Sequence, residues 1–170
     1  MISKKMQSAI NDQINAELWS AYLYLAMSMQ AEAMALKGIA NWFNVQWREE
    51  QDHAAIFEKF LNDVSGRVEL KPIASVPRDW DSPLDMFKDT LDHEIEVTAL
   101  IHDLAKLAFH EGDLAAMSRL QWFIDEQVEE EANATELVTL FQRAGKDFVA
   151  LDELDRRLAK RCYKKPDVLE

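Results

Sequence analysis

Apolar residues recur three and four positions apart along most of the chain, and the runs that keep this rhythm are long. From about Ser3 to Leu36 neither Gly nor Pro interrupts it, so the pattern predicts one helix of many turns. Lys37-Gly38 reads as its end, with Gly38 free to take the left-handed cap conformation. A second helix is predicted from Ile39 to Val64, closing at Ser65-Gly66. The segment 67–81 holds Pro72 and Pro77 and reads as the one extended loop. Ser82-Pro83-Leu84-Asp85 then supplies an N-cap, a proline at the first helical position and a first-turn acid. The third helix is predicted to stop at Glu111-Gly112, where Asp113 can cap a fourth reaching Ala144-Gly145. A shorter amphipathic stretch, Asp152 to Cys162, carries Leu154 and Leu158 on one face and precedes Pro166.

Helices of roughly 25–33 residues would each span about 40–50 Å. Two tight turns and one loop long enough to cross most of a helix length predict an all-α four-helix bundle. Its second and third helices would run parallel, joined by a long crossover. The chain reads as a single domain over 1–170, with the bundle over about 3–144 and a short fifth helix over about 150–162. With Gly 4 and Pro 4 there are too few breakers for a sandwich or barrel.

The charge narrows the function classes. Nineteen Lys and Arg against 31 Asp and Glu give −12, which argues against nucleic-acid binding. The basic stretch Arg156-Arg157, Lys160-Arg161, Lys164-Lys165 is interrupted by apolar residues and reads as a solvated face. One cysteine, Cys162, builds no internal disulfide and suits a reducing compartment. No apolar leader follows Met1, and the longest apolar run, Ala21 to Met27, falls short of a membrane span. A cytoplasmic protein with no membrane partner is expected.

The chemistry is carried by acids inside the apolar stripes. On a helix, positions three, four and seven apart share a face. Glu17 shares its face with Ile10, Ile14, Ala21 and Tyr24; Glu50 with Phe43, Trp47, Ala54 and Phe57. Glu94 falls among Phe87, Leu91, Val97 and Ile101, and Glu130 among Phe123, Ala134 and Leu137, with Gln127 one turn earlier. Each long helix therefore aims one Glu at the core, and no Lys or Arg on those stripes compensates. Burying ionised carboxylates together is costly unless a cation neutralises them. Oxygen donors with one imidazole, from the Glu50-x-x-His53 spacing, favour Fe or Mn over Zn.

These residues carry a resemblance. Glu17, Glu50-x-x-His53, Glu94 and the run from Leu120 to Glu131 resemble bacterial non-haem ferritins, from Asn11 to about Gly145 and with a matching short final helix. The resemblance implies a ferritin-like fold and an iron-storage protein with ferroxidase activity, oxidising Fe(II) with dioxygen and depositing ferric mineral inside a shell of twenty-four identical subunits. It implies that Glu17, Glu50 and His53 hold one iron and that Glu50, Glu94 and Glu130 hold the other, with Glu50 bridging and Gln127 hydrogen-bonding beside them. Glu49, Glu126 and Glu129, with Glu130, match a third iron site. Tyr24 would hydrogen-bond a ligand or supply an electron.

The departures are informative too. The haem-bearing relatives carry a second Glu-x-x-His on the fourth helix, where this chain has Gln127-Val128-Glu129-Glu130. Their haem-ligating Met is replaced by Asp52, so haem is not expected. Trp122 reads as a packing residue. His93, His102 and His110, which share no repeated spacing with the stripe acids, read as surface or supporting residues. A di-iron enzyme that oxidises an organic substrate would need an apolar channel, for which stripes so rich in Phe, Trp and Leu leave no clear vacancy. A metal-free helical scaffold is the remaining alternative.

Overall fold

The structure is a computed structural model describing residues 2–169. Four long helices, α1 (Lys4–Ala33), α2 (Lys37–Asp63), α3 (Pro83–Glu111) and α4 (Leu114–Ala144), are followed by a short α5 (Phe148–Leu158). A single 3-10 turn closes the described chain at Asp167–Leu169. None of the described helices is long and apolar enough to cross a membrane.

Two helix starts follow the sequence signals. Ser82 accepts from the Asp85 amide with Pro83 at the first turn of α3, and Asp113 accepts from the Ala116 amide to begin α4. Gly112 closes α3 in the left-handed conformation at φ 65°. The first turn is built differently from expectation, while the second closes at Ser65-Gly66 as expected. Left-handed geometry falls on Ala35 (φ 62°), not on Gly38, and in the second turn on Ser65 (φ 59°). The Leu36 amide reaches back to the Ala31 carbonyl, and the Gly66 amide to the Leu61 carbonyl, closing both helices with a six-residue loop. Gly38 lies inside α2, where its value is space: a Cβ there would sit 1.7 Å from the Asp155 carbonyl oxygen of α5.

That close approach lets the Asp155 carboxylate accept from the Ile39 amide at 2.8 Å. The acid thereby caps α2 from another element, since Leu36 offers no side-chain cap. Gly38→Ala is accordingly expected to push α5 off α2 at a cost of about 1–3 kcal/mol or more. Faster amide exchange confined to α5 and the first turn of α2 would register it; unchanged exchange there would refute it. The fifth helix also starts earlier than its apolar pattern indicated. Asp147 accepts from the Val149 and Ala150 amides and so starts α5 at Phe148; the helix ends at Leu158, and residues 160–162 lie beyond it.

The crossover 64–82 is tied to α1 by its backbone. Asn11, buried, donates to the Arg67 carbonyl at 2.9 Å and accepts from the Glu69 amide at 2.7 Å. Near its far end Trp80 is buried and donates to Asp89 at 2.8 Å. The crossover returns the chain to its starting end, so α2 and α3 run parallel.

The core falls into two apolar halves. One gathers Met6, Ile10 and Ile14 of α1 with Phe57, Ile101 and Phe123. The other gathers Tyr24 and Met27 with Phe43, Phe87 and Phe141. Between them lies a waist of buried polar residues drawn from all four helices: Gln13, Glu17, Ser20, Gln46, Glu50, His53, Thr90, Glu94, Gln127 and Glu130.

Candidate metal centre

The waist is where the four stripe acids meet. Glu17, Glu50, Glu94 and Glu130 are each at most 5% exposed, although they come from four different helices. Within this layer Glu17, Glu50 and His53 form the tightest set: one ligand atom from each lies within 4.8 Å of the others. His53 Nδ1 is 3.1 Å from Glu50 Oε2. Its ring is held edge-on against Trp122 and Phe123, at 5.6 and 5.9 Å between centroids. Trp122 thus walls the ligand position as well as packing the core.

Hydrogen-bond donors account for some carboxylate oxygens and leave others open. Gln13 Nε2 donates to Glu17 Oε1 at 2.9 Å, while Glu17 Oε2 is buried with no partner among the described residues. An unpartnered buried oxygen beside a second carboxylate and an imidazole is what a cation site leaves exposed to its cation. Glu94 and Glu130 stand outside the tight set, each tethered by donors. The Tyr24 hydroxyl donates to Glu94 Oε1. Gln127 Nε2 reaches Glu94 Oε2 at 3.1 Å and Thr98 Oγ1 at 3.3 Å, and Thr98 in turn donates to Glu131. Gln46 Nε2 donates to Glu130 Oε2 at 2.8 Å and lies 3.5 Å from Glu50 Oε1.

Electrostatics follow from burial. Removal from water, reinforced by Glu50, pushes the Glu17 carboxyl up to about 8. Glu94 is raised to about 8 by burial and then by Glu50, and Glu130 to about 8 by burial and then by Glu94. Burial, and after it Glu130, carries Glu50 well above the usual carboxylate range. Tyr24 is likewise raised by burial and by the neighbouring Glu94 charge. The isolated waist is therefore a set of carboxyls that hold protons near neutral pH, protons that a cation of higher charge would displace.

The three outlying acids have other surroundings. Glu49 and Glu126 are half-buried, Glu129 is exposed, and none of them belongs to the tight set. Burial raises Glu49 against the pull of Arg161, and raises Glu126. Two features, Arg161 and Gln46, escaped the sequence reading. Arg161, read as part of a solvated face, inserts against α2 and pairs with Glu49 at 2.5 Å. Gln46 is fully buried and touches two of the acids; its place on the Glu50 stripe was the available signal. His93 is half-buried, lies 2.8 Å from Ser20 Oγ, and is lowered to about 4 by burial. His102 and His110 are exposed.

A bundle in which all four helices deliver a glutamate to one buried layer, with an imidazole one helical turn from one of them, is a carboxylate-lined four-helix bundle of the kind that can hold metal ions. Comparison with known proteins narrows the class. Residues 7–144 match the Ferritin-like domain family, and the chain belongs to that ferritin family. It is 41% identical to a bacterial non-heme ferritin of Bacteroides fragilis over 145 residues, covering 85% of this chain and 91% of that one. Against a bacterial non-heme ferritin of Staphylococcus aureus it is 36% identical over 163 residues, 96% and 98% of the two chains. An open-pore ferritin from the archaeon Archaeoglobus fulgidus superposes with a TM-score of 0.95 at 45% identity, over 95% of this chain and all of that one. A humanized archaeal ferritin does so with 0.96 at 43%, over 96% and 99%.

Proposed function

We propose that the protein stores iron: it oxidises Fe(II) with dioxygen at a pair of sites in the polar waist and keeps the ferric product as an oxyhydroxide mineral within a shell of twenty-four copies. The observation that carries this reading is the buried four-glutamate layer with His53 and an unpartnered Glu17 oxygen, in a chain of the ferritin family.

Glu17, Glu50 and His53 take one Fe(II), and Glu50, Glu94 and Glu130 take the second, with Glu50 shared. Arrival of the metals displaces the protons that the isolated carboxyls hold, and the resulting negative charge favours Fe(III) over Fe(II). Each Fe(II) loses one electron, so a pair with two protons takes one dioxygen to hydrogen peroxide, and two pairs with four protons take it to two waters. Hydrolysis of the ferric product to oxyhydroxide releases further protons to water. Gln127 and Tyr24 hold Glu94 in place, and Tyr24 lies where it can give an electron to the centre. Glu49, Glu126 and Glu129 form a third cation position at the edge of the site, where Glu49 is shared with Arg161. Haem has no part in this scheme.

The shell is supported by apolar side chains left on the outside of the isolated chain, including Phe148 at 86% exposure, Val149 and Leu114. The reading places the protein in the cytoplasm, with Fe(II), dioxygen and further copies of itself as partners. Aerobic loading with a large excess of Fe(II), followed by size-exclusion chromatography at protein and ferric wavelengths, tests it. Soluble ferric mineral is expected to co-elute with a very large assembly. A small particle retaining about two irons per chain, with the rest precipitated, would replace storage with oxygen activation for another substrate.

A further inference from the structure

Beyond α5 the C-terminal segment folds back along α2, and its anchors form a ladder. Asn41 Nδ2 donates to the Leu158 and Arg161 carbonyls at 3.3 and 2.9 Å. The Arg161 guanidinium lies 4.5 Å from the Trp42 ring centroid. Its Nη1 donates to Gln46 Oε1 at 2.7 Å and its Nη2 to Glu49 Oε2 at 2.5 Å. Further along, Tyr163 donates to Asp52 at 2.6 Å beneath the Arg48 guanidinium. Trp42, Gln46 and Glu49 share one stripe of α2, so a single side chain engages three successive turns.

Gln46 is the link from this ladder to the waist. Its oxygen accepts from Arg161 while its nitrogen donates to Glu130 Oε2. A primary amide can be turned end for end, and turned it would set its carbonyl oxygen against the Glu130 carboxylate. A guanidinium has only donors, so Arg161 accepts no other orientation of that amide. The fork fixes the angle as well, because its second arm is held by Glu49.

We propose that Arg161 is a positioning residue of the metal centre: by fixing Gln46 it holds Glu130 where its remaining oxygen can meet a metal, and it makes the C-terminal segment part of the site. This rests on the metal-centre reading above. Partners of that kind behind a metal-ligating carboxylate are typically worth about 10–100-fold in metal affinity. The sign separates orientation from charge. Removing a positive charge by itself would tighten binding of a cation, whereas losing the orientation of Glu130 loosens it.

Anaerobic titration of the full-chain assembly with Co(II), followed by visible absorption and calorimetry, provides the test. The two waist positions of the wild-type chain are expected to fill in two steps, ahead of the outer position at Glu49, Glu126 and Glu129, which is read separately. Arg161→Leu keeps an apolar stem against Trp42 and should weaken the second step about tenfold, leaving the first, at Glu17, Glu50 and His53, as the internal control of folding. On a Gln46→Leu background the same change should add nothing further. Arg161→Lys keeps the charge without the fork and should stay weak; it decides the matter if Arg161→Leu fails to fold. A second step that is unchanged or tighter in Arg161→Leu, full recovery by Arg161→Lys, or an undiminished effect on the Gln46→Leu background would each overturn the proposal. A wild-type chain that bound no Co(II) would overturn the metal-centre reading and this one with it.

Discussion

Glu50→Gln is expected to abolish binding of both metals and to lower the initial rate of Fe(II) oxidation by more than about a hundredfold. In the proposed assignment Glu50 is the one ligand common to both positions. It lies 3.1 Å from His53, within 3.5 Å of Gln46, and inside the tight set with Glu17. Its charge raises the carboxyls of both Glu17 and Glu94 after burial has done so. An outer partner of a ligand is typically worth about 10–100-fold in affinity, and a ligand common to both positions should exceed that. The substitution is nearly isosteric and removes a buried acid, so helix content should persist. The metal-free variant should be at least as stable as the parent at pH 8. Oxidation within tenfold of the parent rate would remove Glu50 from the centre.

The metal-free protein is expected to lose stability as pH rises from about 5 to about 8.5, the reverse of what the usual carboxylate with a folding-lowered pKa contributes. Glu17, Glu94 and Glu130 are raised to about 8 in the folded chain, from an ordinary value of 4.5. Below about 4.5 these groups are protonated whether the chain is folded or not, and they contribute no slope. Between about 4.5 and 8 the unfolded chain has released protons that the folded chain still holds. The slope of stability with pH is therefore negative, and above about 8 the loss is complete. His93, lowered to about 4 by burial, acts oppositely between about 4 and 6.5, because the unfolded imidazole takes up a proton that the folded one refuses. Three carboxyls outweigh one imidazole, so the net slope stays negative and stability declines from about pH 5. Several kcal/mol lost above it corresponds to a fall in Tm of roughly 10 °C for a chain of this size. Added Co(II) should restore the loss at pH 8.5 by taking the place of the protons. Thermal scans of chelated protein at pH 5.5 and 8.5 would expose the error if Tm rose or stayed level.

The acids of the waist were legible in the sequence because a helix writes its buried face at a fixed period. Glu17, Glu50, Glu94 and Glu130 broke that period in chemistry but not in position. The crossover was legible in the same way, from Pro72 and Pro77 and the missing periodicity around them. The fold departs from the reading where a contact joins residues far apart in the chain. Gly38 looks like punctuation, yet it is required by the Asp155 carbonyl of α5. Arg161 looks like one cation among several in a basic stretch, and only the return of the chain along α2 places it on Gln46, 115 residues away. The start of α5 was displaced because Asp147, an ordinary acid in sequence, is the residue that accepts the first free amides.

The division of the bundle into α1 with α2 and α3 with α4, which make the most extensive helix contacts, has a mechanical consequence. The first pair brings Glu17, Glu50 and His53, a whole donor set on one hairpin. The second brings Glu94 and Glu130, which have no such set of their own. Without metal, the seam between the hairpins at the waist is stitched by Tyr24 to Glu94 and by Gln46 to Glu130. In the proposed assignment one iron belongs to a single hairpin, while the other bridges the seam through Glu50, Glu94 and Glu130. The second iron is then a removable rivet, and each cycle of filling and emptying tightens and slackens the joint between the two halves of the subunit.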